Sequence, residues 1–305
     1  MKLLDLAGPV PATGPPPGAI AQAPRGGGAR ESTARLDPRL YQITVLALLL
    51  AYGAIRLDLE IDPRQVLAIL AAALLTQLGG TALAGLPRFD PRSALISGLS
   101  LCLLLRTNDP WLAALTAAVA VASKFILRVR GKHVFNPTNF ALVVMMLAGG
   151  QAWVSPGQWG SVAVFAFLLA AAGGLVVNRA GRADVTWTFL GCYVALLVGR
   201  GLWLGDPLVI PLHRLQNGAL VLFAFFMISD PRTTPDSRAG RILFAVMVAA
   251  GAYLVQFALF RTNGLLWSLA VCSLIVPLID RLLPGPRHQW RSGPAPEAAQ
   301  ERNMP

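Results

Sequence analysis

The sequence predicts an all-α membrane protein, a bundle of about ten transmembrane helices with both termini in the cytoplasm. Three observations lead there. Of the 305 residues, 55% are hydrophobic and only 13% are charged, against a charged share of about 25% in soluble domains. The apolar residues come in repeated runs of roughly 17 to 20, the length of helix that crosses a bilayer. Lys and Arg are concentrated in the turns between those runs and in the two tails, where charge orients a membrane protein.

The elements follow in order. Residues 1–38 are rich in Pro, Gly and Ala and bury too little surface to offset their chain entropy. They read as a disordered cytoplasmic tail, and no compact apolar core follows the basic start as a signal peptide requires. Residues 39–283 read as the membrane domain. Its spans are predicted at 40–57, 65–84, 93–106, 110–127, 137–153, 160–178, 185–204, 214–229, 239–260 and 264–283. The third and fifth are short and read as tilted or partly re-entrant. Residues 284–305 repeat the composition of the first tail. With the N-terminus inside, 20 of the 26 Lys and Arg residues lie on the cytoplasmic side, the bias expected of a multi-pass protein of the cytoplasmic membrane. The net charge of +11 therefore belongs to membrane orientation rather than to nucleic-acid binding.

Metal chemistry finds little support. Cys102, Cys192 and Cys272 all lie inside apolar runs without CxxC or CxxxC spacing, and read as buried thiols rather than cluster ligands. His133, His213 and His288 share no apolar helix, so a bis-histidine haem is not expected. The chain also has no GxGxxG motif and no P-loop.

Two polar stretches interrupt this pattern. In "KHVFNPTNF", Pro137 suits the first turn of a helix and Asn136 its N-cap. Asn139 lies one turn inside an apolar region, where a side-chain amide needs a partner. The start of such a helix is also a seat for an electron-rich group. In "ISDPRTTPDSRAG", Asp236 or Ser237 reads as an N-cap, and Thr233 and Thr234 offer hydroxyls. Asp230, at the edge of hydrocarbon, needs a partner such as Arg232, Arg238 or Lys124. Lys124, near the cytoplasmic end of span four, reads first as snorkelling to the interface. Arg106 reads as an interfacial anchor on the outer side. The two stretches fall on the same side in the charge count. They are expected either to face each other as one polar site, with Asn139 and Asp230 paired directly or through a ligand or water, or to be ordinary caps that never meet.

From about residue 90 to 283, "PRSALISGLSLCLLL", "DPWLAALTAAVAVASK", "FNPTNFALVV", "QNGALVLFAFFMISDPRTTPDSRAGRILF" and "GLLWSLAVCSLIVPLIDRL" resemble the RnfD/NqrB family. Its members are the membrane-embedded RnfD component of the Rnf electron-transport complex and the NqrB component of the sodium-pumping NADH:quinone oxidoreductase. The resemblance implies a ten-helix flavin-carrying subunit that passes electrons between partner membrane or peripheral redox subunits, coupled to ion movement. Family members carry a covalent FMN on a threonine of an S-x-A-T type motif after span five. Here Gly149–Gly160, "GGQAWVSPGQWG", contains no threonine, so covalent FMN is not expected and the chain looks most like short UnbU-type members. A non-covalent riboflavin or FMN is the cofactor the resemblance leaves, with Lys124, Asn136, Asn139, Asp230, Thr233 and Thr234 as its candidate contacts. The alternative is a transporter, or a membrane anchor or assembly protein on the same scaffold without a redox role, for example in natural-product biosynthesis.

Overall fold

An Asp-Pro or Asn-Pro pair opens helix after helix. Asp37, Asp62, Asp90 and Asp109 each accept the backbone N–H of the residue two positions on, at 2.8–3.1 Å. The following proline fills a first-turn position whose N–H would be unpaired anyway. The chain is seen here as a computed structural model, which describes residues 37–56, 62–149, 151–154, 174 and 181–287. The predicted tail 1–38 falls outside these residues except for Asp37 and Pro38, and span 160–178 except for Gly174. Of the tail 284–305, the described part ends at residue 287.

The first half comprises α1 (Pro38–Arg56), α2 (Pro63–Leu83), α3 (Arg92–Leu104), α4 (Pro110–Ile126) and α5 (Pro137–Ala148). Between them lie β1 (Leu105–Thr107), β2 (Arg128–Val129), β3 (Lys132–His133) and β4 (Ala152–Val154). The second half has α6 (Ala183–Leu204), α7 (Val209–Leu215), α8 (Gly218–Leu222) running into a π-helix (Phe223–Met227), α9 (Arg238–Phe257) and α10 (Gly264–Leu282). Four of these, α2, α6, α9 and α10, are long and apolar enough to cross a membrane, and α7 with α8 and the π-helix makes a fifth if the bent pair is one span. The remaining apolar helices, α1, α3, α4 and α5, are shorter. The chain is a multi-pass helical membrane protein.

Small side chains let the helices approach. Ala113, Thr116, Ala117 and Ala120 of α4 are fully buried and recur at helical spacing, and α2 answers with Ile69, Ala73, Gln77 and Thr81, spaced four apart. Such small-residue seams drive helix packing where lipid is as apolar as the side chains. In the second half α9 does the same with Ala245, Val248, Ala249 and Ala252, all fully buried, against α6 and α10. Helix α5 also packs on α10, joining the halves.

Three predicted spans differ in form. The third ends as a helix at Leu104 and continues extended through β1, which pairs antiparallel with β4, Leu105 opposite Val154. Thirteen helical residues rise about 20 Å and three extended ones about 10 Å, so the composite reaches the ~30 Å of a hydrocarbon core. The fifth likewise ends early, at Ala148. Pairing β1 with β4 satisfies backbone groups that lipid could not. The eighth span is broken: α7 and α8 meet at 53°, because Asn217 caps a new helix start by accepting the Ala219 N–H at 2.8 Å. The π-helix displaces backbone carbonyls that hydroxyls then take up. Thr186 donates to the Ala224 carbonyl at 2.8 Å and Ser229 to that of Phe225 at 2.6 Å. Such π segments are frequent at functional sites.

Candidate functional site

Asp230 follows the same local rule as the helix-opening aspartates. Its Oδ1 accepts the Arg232 N–H at 3.0 Å, yet no helix follows directly. Instead the turn folds on itself, and Thr233 and Thr234 spend both hydroxyls on the Asp230 carbonyl, at 3.3 and 3.1 Å. The carboxylate's other oxygen faces α5: Asn136 Nδ2 donates to Asp230 Oδ2 and to the Met227 carbonyl, each at 3.4 Å. The two polar stretches do face each other.

The direct form of the expected pair is nevertheless corrected. Asn139 does not meet Asp230; Asn136 does. Asn136 is both the N-cap, accepting the Asn139 N–H at 3.1 Å, and the bridge to Asp230. Asn139 points one turn deeper and donates to the Leu266 carbonyl of α10 at 3.2 Å, leaving its Oδ1 buried without a partner among the described residues. Nor, among those residues, does Asp230 form an ion pair with Lys124, Arg232 or Arg238. Lys124 is buried rather than snorkelling, 4% exposed, because its ammonium donates to Ser93 Oγ at 3.0 Å on the neighbouring α3.

These residues wall a cavity of about 210 Å³ at the Asp230 end of the bundle. Lys124, Asn136 and Asp230 line it; Asn139, Thr233 and Thr234 do not. Ser93, Ser97 and Ser100 add a hydroxyl row from α3, Gln77 an amide from α2, and Phe125, Phe225 and Phe226 apolar walls. Arg39, on its rim, is bound to Asp37 at 2.7 Å and Asp90 at 2.6 Å, and Arg92 reaches Asp37 at 2.6 Å, tying α1 to α3. The serines recur at helical spacing in "DPRSALISGLS", a signal that could have found them; Gln77 gave none, lying in an apolar run, and His133 lay in a polar stretch whose packing the sequence does not encode.

Two of the lining groups are left incomplete. Gln77 Oε1 and His133 Nδ1 are buried with no hydrogen-bond partner among the described residues. Burial pushes the His133 imidazole down to about 3, helped by Arg232, Arg128 and Lys124 and opposed by a hydrogen bond to the Lys124 backbone, so the ring is neutral at pH 7. Burial pushes the Asp230 carboxyl upward, against the Arg232 N–H and the charges of Arg232, Arg182 and Lys124. The cavity thus presents the Lys124 ammonium as a donor between aromatic walls, and Gln77 and His133 on its lining each keep an unpartnered buried acceptor. Apolar and aromatic walls with a few polar groups are the usual lining of a small-molecule pocket. Among the described residues no cluster of His, Cys, Asp and Glu has the arrangement of a metal centre.

A second, separate cluster closes the same end. Lys132 bridges Asp236 at 3.0 Å and Asp280 at 2.6 Å, and Asp280 also accepts the Asp236 N–H at 2.8 Å. This fastens the β2–β3 hairpin to the start of α9 and the end of α10. Ser237 caps α9, accepting the Gly240 N–H at 3.0 Å.

The fold and cavity define a class, a multi-pass helical membrane protein with a polar ligand cavity at one end. Residues 149–287, a little under half of the chain, match the model of the NQR2, RnfD, RnfE family. The D component of an ion-translocating oxidoreductase complex from Cronobacter sakazakii is 30% identical over 158 residues, 49% of this chain and 41% of that protein. Its counterpart from Tolumonas auensis is 34% identical over 71 residues, 23% of this chain and 20% of that protein. The D component of the proton-translocating ferredoxin:NAD(+) oxidoreductase complex of Clostridium ljungdahlii is 23% identical over 249 residues, 62% of this chain and 72% of that protein. The chain spans less than half the length of the first two of these relatives.

Proposed function

We propose that this protein is an electron-transferring membrane component of an ion-translocating oxidoreductase-like system, with a non-covalently held flavin, riboflavin or FMN, in the cavity walled by Lys124, Asn136 and Asp230. The observation that carries the reading is the pair of unpartnered acceptors, Gln77 Oε1 and His133 Nδ1, buried on two residues that line that cavity. Unsatisfied buried polar atoms are costly and call for a partner. An isoalloxazine ring offers an N–H to such acceptors and a carbonyl to the Lys124 donor. A bound flavin supplies one- and two-electron transfer. The chain's part is to hold the ring between Phe125, Phe225 and Phe226, to keep a cation at Lys124 beside it, and to limit water access. The relatives' names support a place in a multi-component complex, so other membrane or peripheral redox proteins are the proposed partners, in the cytoplasmic membrane with both termini inside. A bare anchor would have no use for the orphaned acceptors, which disfavours that alternative.

The test is purification of the full chain in detergent, an absorbance spectrum, and acid extraction of flavin. The expected result is extractable riboflavin or FMN near one per chain, no fluorescent band surviving on a denaturing gel, and at least a tenfold lower flavin content in Asn136→Ala and Lys124→Met. Flavin-free wild-type protein that takes up neither compound on titration would overturn the reading.

A further inference from the structure

The opposite end of the bundle holds a second cavity, and it has different chemistry. It measures about 230 Å³ and is lined by Tyr193, Arg214, Asn217, Gln256, Arg261 and Asn263. Met227 lies on the wall of both cavities, so an apolar floor of Leu104, Phe223 and Met227 lies at its base. Helix α9 runs from one end to the other, from Ser237 beside the Lys132 cluster to Gln256 at this cavity.

Three features converge here. First, positive charge is gathered without matching acid. Arg214 and Arg261 have no ion-pair partner among the described residues, and Arg200 has only Asp206, at 3.6 Å. The guanidinium groups of Arg200 and Arg214 sit over the same Phe257 ring, at 4.4 and 5.2 Å from its centroid, so two like charges share one face cluster. Second, the 19-residue helix α10 begins here without a side-chain cap. Asn263 makes no cap bond, its backbone being left-handed at φ 59° rather than extended, and its amide donates to Met146 Sδ at 3.4 Å. The first N–H groups of α10, at Gly264 and Leu265 on the cavity wall, carry the partial positive charge of the helix end. Third, the chain on either side of these groups carries exposed apolar side chains. Trp203 is 89% exposed, Phe260 84% and Val209 72%, with Leu208, Leu212 and Leu259 also open.

We propose that this cavity binds the phosphate of an anionic phospholipid, with Arg214, Arg261 and the start of α10 on the phosphate and Tyr193 and Gln256 beside it. Tyr193 donates to Gln256 Oε1 at 2.9 Å, which leaves the Gln256 amide N–H₂ as a donor to the ligand. Guanidinium groups are suited to bidentate phosphate contact. The exposed apolar residues next to them in sequence, Leu212 near Arg214 and Phe260 beside Arg261, account for a ligand that brings acyl chains with its phosphate. The site is independent of the flavin reading, since it lies at the other end and shares with it only Met227.

The experiment uses the full chain, purified in detergent and delipidated, with three probes: dioctanoyl-phosphatidylglycerol, dioctanoyl-phosphatidylcholine and inorganic phosphate. Binding is read as a saturable rise in Tm and as lipid adducts by native mass spectrometry. Expected is saturable binding of the phosphatidylglycerol, weakened at least tenfold in Arg214→Gln/Arg261→Gln. Both arginines are exposed, so the double variant keeps the lipid-free Tm of the wild type. Arg64→Gln, which removes an exposed cation at the start of α2 away from the cavity lining, leaves binding unchanged. Equal affinity in the double variant, equal loss in Arg64→Gln, or no binding by the wild type would each overturn the site. Equal action of inorganic phosphate would overturn the lipid as its source, and equal affinity for the phosphatidylcholine would overturn its anion selectivity.

Discussion

His133 shows how burial sets chemistry at a single residue. Its ring is 8% exposed, and burial first, then the charges of Arg232, Arg128 and Lys124, hold its pKa near 3 against about 6.5 in an unfolded chain. Between those values the unfolded state binds a proton that the folded state refuses, so stability rises with pH across the window and falls on acidification by up to about 1.4 kcal/mol per pH unit. The ligand-free protein is therefore expected to lose Tm between about pH 7 and about pH 5, and His133→Gln to lose less over the same range. Equal pH slopes for the two, followed by thermal unfolding in detergent, would count against a neutral buried histidine. Asp230 works in the opposite sense, since its raised pKa means that protonation relieves rather than adds a burial cost. At this scale the cap roles of Asn136, Pro137 and Ser237 were readable from the sequence, because an N-cap bond spans only two or three residues. The partners of Asn139 and Lys124 were not. Leu266 is 127 residues from the first and Ser93 is 31 from the second, and no local pattern encodes such pairings.

Among the elements, tight and loose helix seams are separable by a glycine test. A Cβ on Gly264 would stand 2.7 Å from the backbone carbonyl oxygen of Ala252, and that oxygen cannot swing away as a flexible side chain would. A Cβ on Gly79 of α2 would meet nothing within 4 Å among the described residues. Gly264→Ala is expected to destabilise the protein by about 1–3 kcal/mol through overpacking of α9 on α10. Gly79→Ala is expected to be neutral or stabilising by up to about 1 kcal/mol through helix propensity. Tm measurements on the two variants check this, and a Gly264→Ala variant as stable as wild type would mean the α9–α10 seam is looser than described. The element boundaries were legible wherever a proline or cap marks them, at Pro63, Pro110, Pro137 and Arg238. They were not legible where the backbone leaves the helix for a partner distant in sequence, as at β1 with β4, or where it widens into a π turn held by Thr186 from another helix.

For the molecule as a whole, the ends of the described helices alternate. Asp37, Asp90, Asn136, Asp230 and Asp280 gather at one end through the Arg39, Asn136 and Lys132 bonds. Val154, paired with Leu105, belongs with Arg214 on the cavity at the other. Reporter fusions after Val154 and after Pro284 are accordingly expected to report opposite sides of the membrane, with Pro284 in the cytoplasm; the same side for both would sink the proposed topology. Membrane class and the alternating placement of basic residues were decided by composition, because transfer of apolar side chains into lipid and attraction of Lys and Arg to one face are sums over local residues, blind to tertiary contacts. The approach of "FNPTN" and "SDP" could be anticipated only as far as their shared side. Which asparagine meets Asp230, which acceptors stay unpaired in the cavity, and that a second, arginine-lined cavity backs onto the first through Met227 were decided by the packing of α5 on α10 and of the π-helix between the halves. Those are directions of side chains set by long-range contact, and helix periodicity alone leaves them open.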